Sequence, residues 1–518
     1  MLVNVPQAGV TGVNADLTTP NLPPNAWTAA QNIRFLDGSA VPAGGHSPIY
    51  AANPVAALHV LPVTVAGVRS WIYAGTQKIY ITQSVGGIVT HTPLTRQTAG
   101  ADVNYTGVAN AWTSTLLGGV PILNNGVDVP QMWLLSLTTP ATALTAWPAT
   151  YTCRVIRAFK NSLIALGVTK AGVDYPYMVK WSHPADPGTV PVTWDTTDAT
   201  KDAGEIDLAD GYDKIVDGLP LRGSFIIYKE SSIWRMDFTG GPFVYAFTKA
   251  LGLSGALNRN CIVEIDGQHL VLTGSDVIVH DGHSSTSVLD KQTRRTLFSR
   301  INPLAIGTCF VFKNPFYNEV FVCYPDGSDV MAPNRAMVWN YKDRTVSFRD
   351  LPGISHAATG AITSSLSDAW SADLAPWAED LTTWNQIEFN PERDRVIFAA
   401  PSLYLLDSTS KFNGAAPVVT LERVGINLGT PAAVKTVTSI RPLISGNPGR
   451  TVMVSVGGSM DQYTGFVWST PVAFTIGSSV SIDTFATGRD IGVRFSGGTA
   501  LSWKLDSYQL EVKEKGGW

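Results

Sequence analysis

The stretch from Ser224 to Phe238 reads Ser-Phe-Ile-Ile-Tyr-Lys-Glu-Ser-Ser-Ile-Trp-Arg-Met-Asp-Phe. Two apolar runs, 225–228 and 233–236, flank the polar residues 229–232. β-Branched and aromatic side chains suit a pleated sheet, whereas a short polar break between two such runs is typical of a turn. The stretch therefore predicts two antiparallel strands joined by a tight connection, a β-hairpin.

Paired apolar runs of this kind recur along the chain between about residues 55 and 410. They lie at Trp71 to Ile81, Asn161 to Val168, His269 to His280, Asn318 to Tyr324, Ala336 to Phe348 and Arg395 to Leu406. Their loose spacing of roughly 40–50 residues is that of four-stranded propeller blades. The sequence favours a β-propeller over residues 51–410; the alternative is a pair of β-sandwiches, whose strands usually recur without this longer period.

The composition supports an all-β fold. The 518 residues include Gly 47, Pro 32 and Trp 15, and long helical periodicity is hard to find. Charged residues are 15% of the chain, below the roughly 25% typical of soluble domains. A surface with so few charges is expected to face other protein over much of its area.

The two ends and one internal segment depart from the hairpin pattern. Residues 1–50 are rich in proline and glycine, which predicts an extended arm that docks on the body or on a neighbouring subunit. Residues 411–518 alternate apolar and polar side chains, which predicts a separate β-sandwich-like domain. Residues 364–384 form an acidic insertion. Its three tryptophans are expected either to pin it to the body or to provide a subunit contact: Trp370, Trp377 and Trp384.

Charge and cysteine content bound the function classes. The formal net charge of -4 argues against tight nucleic-acid binding, although a wall past which DNA slides is compatible with it. We found no export signal and no apolar run long enough to span a membrane, so a soluble protein is expected. The four cysteines are far apart and predict free thiols: Cys153, Cys261, Cys309 and Cys323.

Three segments carry residue types that chemistry could use, and for each a structural role is expected. His280 and His283 share one short segment, which reads as a solvated turn without a third metal ligand. His183 follows Ser182 in a proline-flanked loop that lacks a nucleophile elbow. Asp326-Gly327-Ser328-Asp329 lacks the spacing of a calcium loop. We therefore expect no catalytic residue, metal or cofactor, and a protein that is not an enzyme.

The clearest basic cluster lies in residues 289–300, which predict one short amphipathic helix. Its cations are either a solvated face or an electrostatic contact with an acidic neighbouring subunit. Together with two of the tryptophans they are the predicted subunit-interface residues: Lys291, Arg294, Arg295, Arg300, Trp370 and Trp377.

Several segments in order resemble the tail nozzle, or tail stabilisation (tail tubular B-like), proteins of short-tailed bacteriophages. The resemblance spans nearly the whole chain and rests on the order and spacing of short strand and turn segments. They are Asn32 to Gly38, Leu123 to Trp133, Val179 to Ser182 followed by Trp194, Gly223 to Trp234 leading into Thr239 to Phe243, Val338 to Tyr341, and Gly488 to Asp490 with Trp503 and Tyr508.

The resemblance implies a structural virion protein of a podovirus tail, assembled in the host cytoplasm. It implies a homo-oligomer, a hexameric ring at the distal end of the tail, that contacts the adaptor ring on the portal side. Tail fibres or spikes are further expected partners. Genomic DNA would pass through the ring without specific binding, and the ring would help to close the channel until DNA ejection. The alternative is a propeller that binds or cleaves host surface carbohydrates, although no carboxylate pair in the sequence stands out for that chemistry.

Overall fold

The structure of the protein is a computed structural model that describes residues 1–14, 18–50, 52–85, 88–107, 112–241, 243–252, 254–362, 394–461, 465–497 and 503–517. The expected insertion at 364–384, with Trp370, Trp377 and Trp384, lies outside the described residues.

Short strands account for most of the described chain, so the predicted all-β fold class is confirmed. The N-terminal strands are β1 (Leu2–Val5), β2 (Ala29–Gln31), β3 (Ile33–Leu36), β4 (Ser39–Pro42) and β5 (His46–Pro48).

The described residues then form seven groups of four antiparallel strands, which we call blades 1 to 7. Six of them are separate four-stranded sheets, and blade 6 is one end of a ten-stranded sheet that continues through β2. Blade 1 contains β6 (His59–Val65), β7 (Val68–Ala74), β8 (Ile79–Val85) and β9 (Ile88–Pro93), after which β10 (Gln97–Thr98) and β11 (Ala101–Asp102) form a small hairpin. Blade 2 contains β12 (Thr113–Leu117), β13 (Val120–Asn124), β14 (Gln131–Met132) and β15 (Thr142–Ala143). Blade 3 contains β16 (Tyr151–Phe159), β17 (Ser162–Lys170), β18 (Val173–Trp181) and β19 (Gly204–Asp207). Blade 4 contains β20 (Ile215–Leu221), β21 (Ser224–Lys229), β22 (Ser232–Phe238) and β23 (Tyr245–Gly252).

Blade 5 contains β24 (Ile262–Ile265), β25 (Gln268–Leu272), β26 (Val277–His280) and β27 (Ser285–Ser287). The helix α1 (Lys291–Arg300) and a 3-10 turn (Pro303–Thr308) connect it to blade 6. Blade 6 contains β28 (Phe310–Asn314), β29 (Glu319–Tyr324), β30 (Arg335–Asn340) and β31 (Val346–Asp350). Blade 7 contains β32 (His356–Ala361), β33 (Asp394–Ala399) and β34 (Leu403–Leu406), and β5 is its outer strand.

The blades form a closed ring, which confirms the predicted β-propeller. Each neighbouring pair of blades shares an apolar core, and the last of these cores joins blade 7 to blade 1 through Ile397, Trp71 and Tyr73. Closure is reinforced because β5, which precedes blade 1 in the chain, pairs with β34. Blade strands such as β29 are buried on both faces, which is why the sequence shows continuous apolar runs there rather than alternation.

The remaining strands build a two-layer β-sandwich. They are β35 (Val419–Ile426), β36 (Ala433–Gly446), β37 (Thr451–Ser459), β38 (Val467–Trp468), β39 (Val472–Thr475), β40 (Ile482–Gly488), β41 (Asp490–Gly497) and β42 (Trp503–Gly517). One layer contains β35, β41 and β37, and the other contains β42, β36 and β40. Val437, Phe495 and Tyr508 meet in the core between the layers.

Residues 1–50 dock on the body, one of the two predicted arrangements, but the prediction of an extended arm is wrong because the segment forms strands of the body's sheets. β1 and β4 pair with β42, and β2 lies between β35 of the sandwich and β31 of blade 6. Trp27 is buried in the sandwich core, and its indole nitrogen donates a hydrogen bond to the Ala8 carbonyl oxygen at 2.5 Å. The prolines lie between these strands or at their ends, so three- and four-residue strands fit among them.

Candidate functional site

Helix α1 forms as the sequence predicts, and its local chemistry explains where it begins. The Asp290 carboxylate caps the first turn, because it accepts hydrogen bonds from the backbone amides of Gln292 and Thr293 at 3.0 and 2.7 Å. Thr293 and Leu297, one turn apart, are the buried side chains of the helix, and Leu297 belongs to the core between blades 5 and 6. The helix is therefore anchored at the junction of these two blades.

The four predicted basic interface residues fall into two classes. Arg294 forms an ion pair with Asp276 at 3.1 Å, and Arg300 forms one with Asp326 at 2.9 Å. Lys291 and Arg295 are exposed and make no ion pair within the described part of the chain. Their role in a subunit interface stays a prediction, and Trp370 and Trp377 lie outside the described residues.

A polar cluster joins the inner ends of several blades, and sequence reasoning missed it. The Arg157 guanidinium donates to both carboxylate oxygens of Asp217, at 2.9 and 2.8 Å, and to the amide oxygen of Asn260 at 3.1 Å. It also donates to the Ser114 carbonyl oxygen at 2.9 Å. These partners come from blade 2, blade 4 and the entrance to blade 5, so one side chain joins residues of several blades.

Two histidines stack beside this cluster. The rings of His59 and His356, the first residues of β6 and β32, lie 3.9 Å apart between centroids, and His59 hydrogen-bonds the Ser114 hydroxyl at 2.8 Å. Burial lowers the pKa of His356 to about 3, with a further contribution from the Arg157 charge. Burial, His356 and Arg157 likewise lower the pKa of His59. Both rings are therefore neutral at pH 7 and pack like uncharged aromatic groups.

The prediction of a solvated turn at His280 is wrong for that residue. His280 is buried, and its Nε2 lies 2.7 Å from the Tyr228 hydroxyl, which lies 2.6 Å from Nδ1 of His269. His269 Nε2 is 2.9 Å from the Pro220 carbonyl oxygen, which can only accept. His269 therefore donates to Pro220 and accepts from Tyr228, and Tyr228 accepts from His280.

This network is fully hydrogen-bonded with both imidazoles neutral, and burial lowers the pKa of His269 and His280 to about 4. It ties blade 4 to blade 5. The sequence contained a usable signal, because the predicted hairpin places His269 opposite His280 on paired strands. His283 lies in the exposed turn, as expected for that residue.

The other two segments weighed for chemistry are held by local contacts. The Ser182 hydroxyl donates to the His183 carbonyl oxygen at 2.9 Å, and Nδ1 of His183 accepts from the Asp202 amide at 3.1 Å, so the hydroxyl and the imidazole have different partners. Asp326 pairs with Arg300 and Arg335. Within the described ranges no group of three or more His, Cys, Asp or Glu side chains is placed to hold a metal ion.

A second buried ionic network joins the sandwich to the propeller. Arg34 of β3 binds both carboxylate oxygens of Glu319 in blade 6, at 2.5 and 2.9 Å, and Asp407 after blade 7 at 2.8 Å. Arg349 of blade 6 also donates to Asp407, at 3.0 Å. Burial disfavours the charge on Arg34, but Asp407 and Glu319 outweigh it and raise the pKa of Arg34 above its usual value. These buried hydrogen bonds and ion pairs fix the two units against each other.

The chain was compared with protein families, curated proteins and solved structures. No family model matches the chain, and no curated protein matches it. Similar solved structures include an exo-β-1,3-galactanase from Phanerochaete chrysosporium (10% identity, 91% of this chain and 100% of that chain, TM-score 0.28) and the WD40 domain of Toxoplasma gondii coronin (8% identity, 70% and 86%, TM-score 0.35). Another is the dihydro-heme d1 dehydrogenase NirN (11% identity, 86% and 76%, TM-score 0.34). These scores carry no conclusion about function. No helix in the described ranges is long and apolar enough to cross a membrane.

Proposed function

We propose that the chain is a structural subunit of a short phage tail, which assembles with copies of itself into the distal nozzle ring. The ring, with six copies expected, continues the DNA-ejection channel below the adaptor ring and helps to keep it closed until infection. The subunit is made in the host cytoplasm and ends in the virion. The order of sequence segments that resemble nozzle proteins is the starting point of this proposal.

The polar cluster around Arg157 is the structural observation that supports the proposal. Arg157 and its partners Ser114, Asp217 and Asn260 lie at the inner ends of the blades, where an open propeller would have a tunnel. A DNA duplex, whose major groove alone is about 12 Å wide, cannot pass between side chains that lie within hydrogen-bond distance of one another. A channel for DNA would therefore lie between copies of the chain, around a symmetry axis.

The rigidity of the subunit and its charge agree with such a role. The N-terminal strand β2 is hydrogen-bonded to both units, and the Arg34 network adds buried ion pairs between them. A building block of this kind keeps its two units in one orientation, as a closed ring requires. The formal net charge of -4 also disfavours tight phosphate binding, which would slow DNA passage.

The experiment is to assemble particles without this chain and to add it back. We expect particles that lack the chain to package DNA and then leak it, and purified chain to restore retention. Particles that retain DNA and infect normally without the chain would contradict the proposal. Release of reducing sugar from host polysaccharide by the purified chain would instead support the carbohydrate-cleaving alternative.

A further inference from the structure

The exposed face of helix α1 carries two cations in positions that cost helix stability. Lys291 is the first residue of the helix, where the partial positive charge of the helix dipole disfavours a cation. Arg295 lies four residues later on the same face, where two like charges repel. Thr293 and Leu297 lie on the opposite face and anchor the helix. Lys291 and Arg295 therefore do not serve helix stability, which points to an external anionic partner.

Two exposed apolar side chains follow the helix in the chain. In the turn that follows, Leu304 is 81% exposed and Ile306 is 37% exposed. We call Lys291, Arg295, Leu304 and Ile306 the basic surface. Apolar side chains bordered by charges are the usual anatomy of a protein–protein contact.

A surface of opposite charge lies at the outer edge of blade 3. Asp202 lies just before the outer strand β19, and Asp207 is the last residue of that strand. Both are exposed and make no ion pair within the described part of the chain. Asp195 is exposed as well, and hydrogen bonds from the backbone and hydroxyl of Thr197 lower its pKa, so it is charged at neutral pH. Lys201 is the cation within this segment.

Two exposed apolar side chains lie in the same segment of the chain as these carboxylates. Val192 is 68% exposed, and Ile206 in strand β19 is 37% exposed. We call Val192, Asp195, Asp202, Ile206 and Asp207 the acidic surface. Its strand β19 is the outer strand of its sheet.

The angle between the two surfaces fits a ring. Seven blades are separated by about 51° each, so the acidic surface of blade 3 and the basic surface between blades 5 and 6 are about 130° apart around the propeller axis. In a closed ring of six or seven copies each subunit meets its two neighbours in directions about 120° to 130° apart. One copy can thus present its basic surface to one neighbour and its acidic surface to the other.

We propose that the basic surface of each copy binds the acidic surface of the next copy, head to tail around the ring. This inference rests on the proposed function and specifies which surfaces meet. The charges set the register of the contact, and the apolar side chains provide its buried centre. Because the two surfaces differ, the contact is heterologous and closes into a ring rather than a two-fold dimer.

The test reverses the charges on one surface at a time and then mixes the variants. Lys291→Glu/Arg295→Glu should abolish the ring seen for the wild-type chain by mass photometry, and so should Asp202→Lys/Asp207→Lys. An equimolar mixture of the two variants should restore rings, because each contact then joins opposite charges again. Arg69→Glu/Arg222→Glu reverses two exposed arginines elsewhere and should leave the ring intact. Unchanged melting temperatures will show that all variants fold.

The outcomes separate the two proposals. Rings formed by both reversed variants, or a mixture that stays monomeric, would overturn the pairing of these surfaces while leaving the ring itself in place. A wild-type chain that stays monomeric, alone and with the adaptor ring, would overturn the proposed function and the pairing together.

Discussion

Arg157 of blade 3 and Asp217 of blade 4 are joined by two hydrogen bonds, at 2.9 and 2.8 Å, at the inner ends of these blades. The Asp217 side chain is 1% exposed and that of Arg157 is 10% exposed. A buried pair of this kind contributes little net stability over a well-packed apolar pair, but removing one partner leaves a buried charge uncompensated. Replacing either Arg157 or Asp217 alone is therefore expected to lower the free energy of unfolding substantially.

Arg157→Met should lower the free energy of unfolding by about 3–5 kcal/mol, because it leaves the Asp217 carboxylate buried without its partner. Urea unfolding monitored by tryptophan fluorescence measures this. Lys342→Met is the control, since it removes an exposed ion pair with Asp266 and should change the free energy of unfolding far less than Arg157→Met does. Equal effects of the two substitutions would show that the central pair is not isolated from solvent.

The Arg34 network predicts energetic coupling between the sandwich and the propeller. In a double-mutant cycle, Arg34→Met and Glu319→Gln should each destabilise the chain, and the double variant should be more stable than additivity predicts by about 1–3 kcal/mol. Additive effects would contradict direct coupling across this junction. Amide exchange of β3 should also accelerate in Arg34→Met, because the strand loses its contact with blade 6.

The Tyr228 network predicts loss of stability in acid. Burial holds the pKa of His269 and His280 at about 4, below the value of 6.5 for an unperturbed histidine. Between these values the unfolded chain binds more protons than the folded chain, so the free energy of unfolding falls as the pH decreases from about 6.5 towards 4. Each histidine contributes on the order of 3 kcal/mol over this range.

Unfolding midpoints measured from pH 7.5 to pH 4.5 test this. His269→Gln/His280→Gln should show a shallower decrease than the wild-type chain, whereas His283→Gln, in the exposed turn, should follow the wild-type curve. A wild-type chain equally stable at pH 7.5 and pH 4.5 would be incompatible with buried neutral histidines.

The N-terminal strands predict that the first residues are part of the core. Trp27→Ala should cost about 3–5 kcal/mol, because it empties a large buried volume between the layers of the sandwich. Tyr212→Ala, at a side chain that is 97% exposed, should change the free energy of unfolding by less than about 0.5 kcal/mol. If Trp27→Ala were as mild as Tyr212→Ala, the strands within residues 1–50 would not be part of the core.

Local patterns in the sequence predicted local structure well. The runs 225–228 and 233–236 form the paired strands β21 and β22, and residues 291–300 form a helix, because strand and cap preferences act over a few residues. The spacing of these hairpins also indicated the propeller. The residues that hold the ring closed could not be found in this way.

What the sequence could not predict depends on residues that are distant in the chain. β5 pairs with β34 although about 360 residues separate them, and Arg34 meets Glu319 across 285 positions. Single charged residues such as Arg157 carry no periodic signal that reveals a partner 60 residues away. The strands of the proline-rich N-terminal segment were not predicted for a related reason. They are stabilised by pairing with β42 and β35 rather than by the strand propensity of their own residues.

The mass of the assembled chain tests the central proposal most directly. Mass photometry of the purified full-length chain, alone and with the adaptor ring of the same tail, should show a closed species of about six subunits, and electron microscopy should show a central channel between copies. A chain that remains monomeric at every concentration and never associates with the adaptor ring would contradict the proposal.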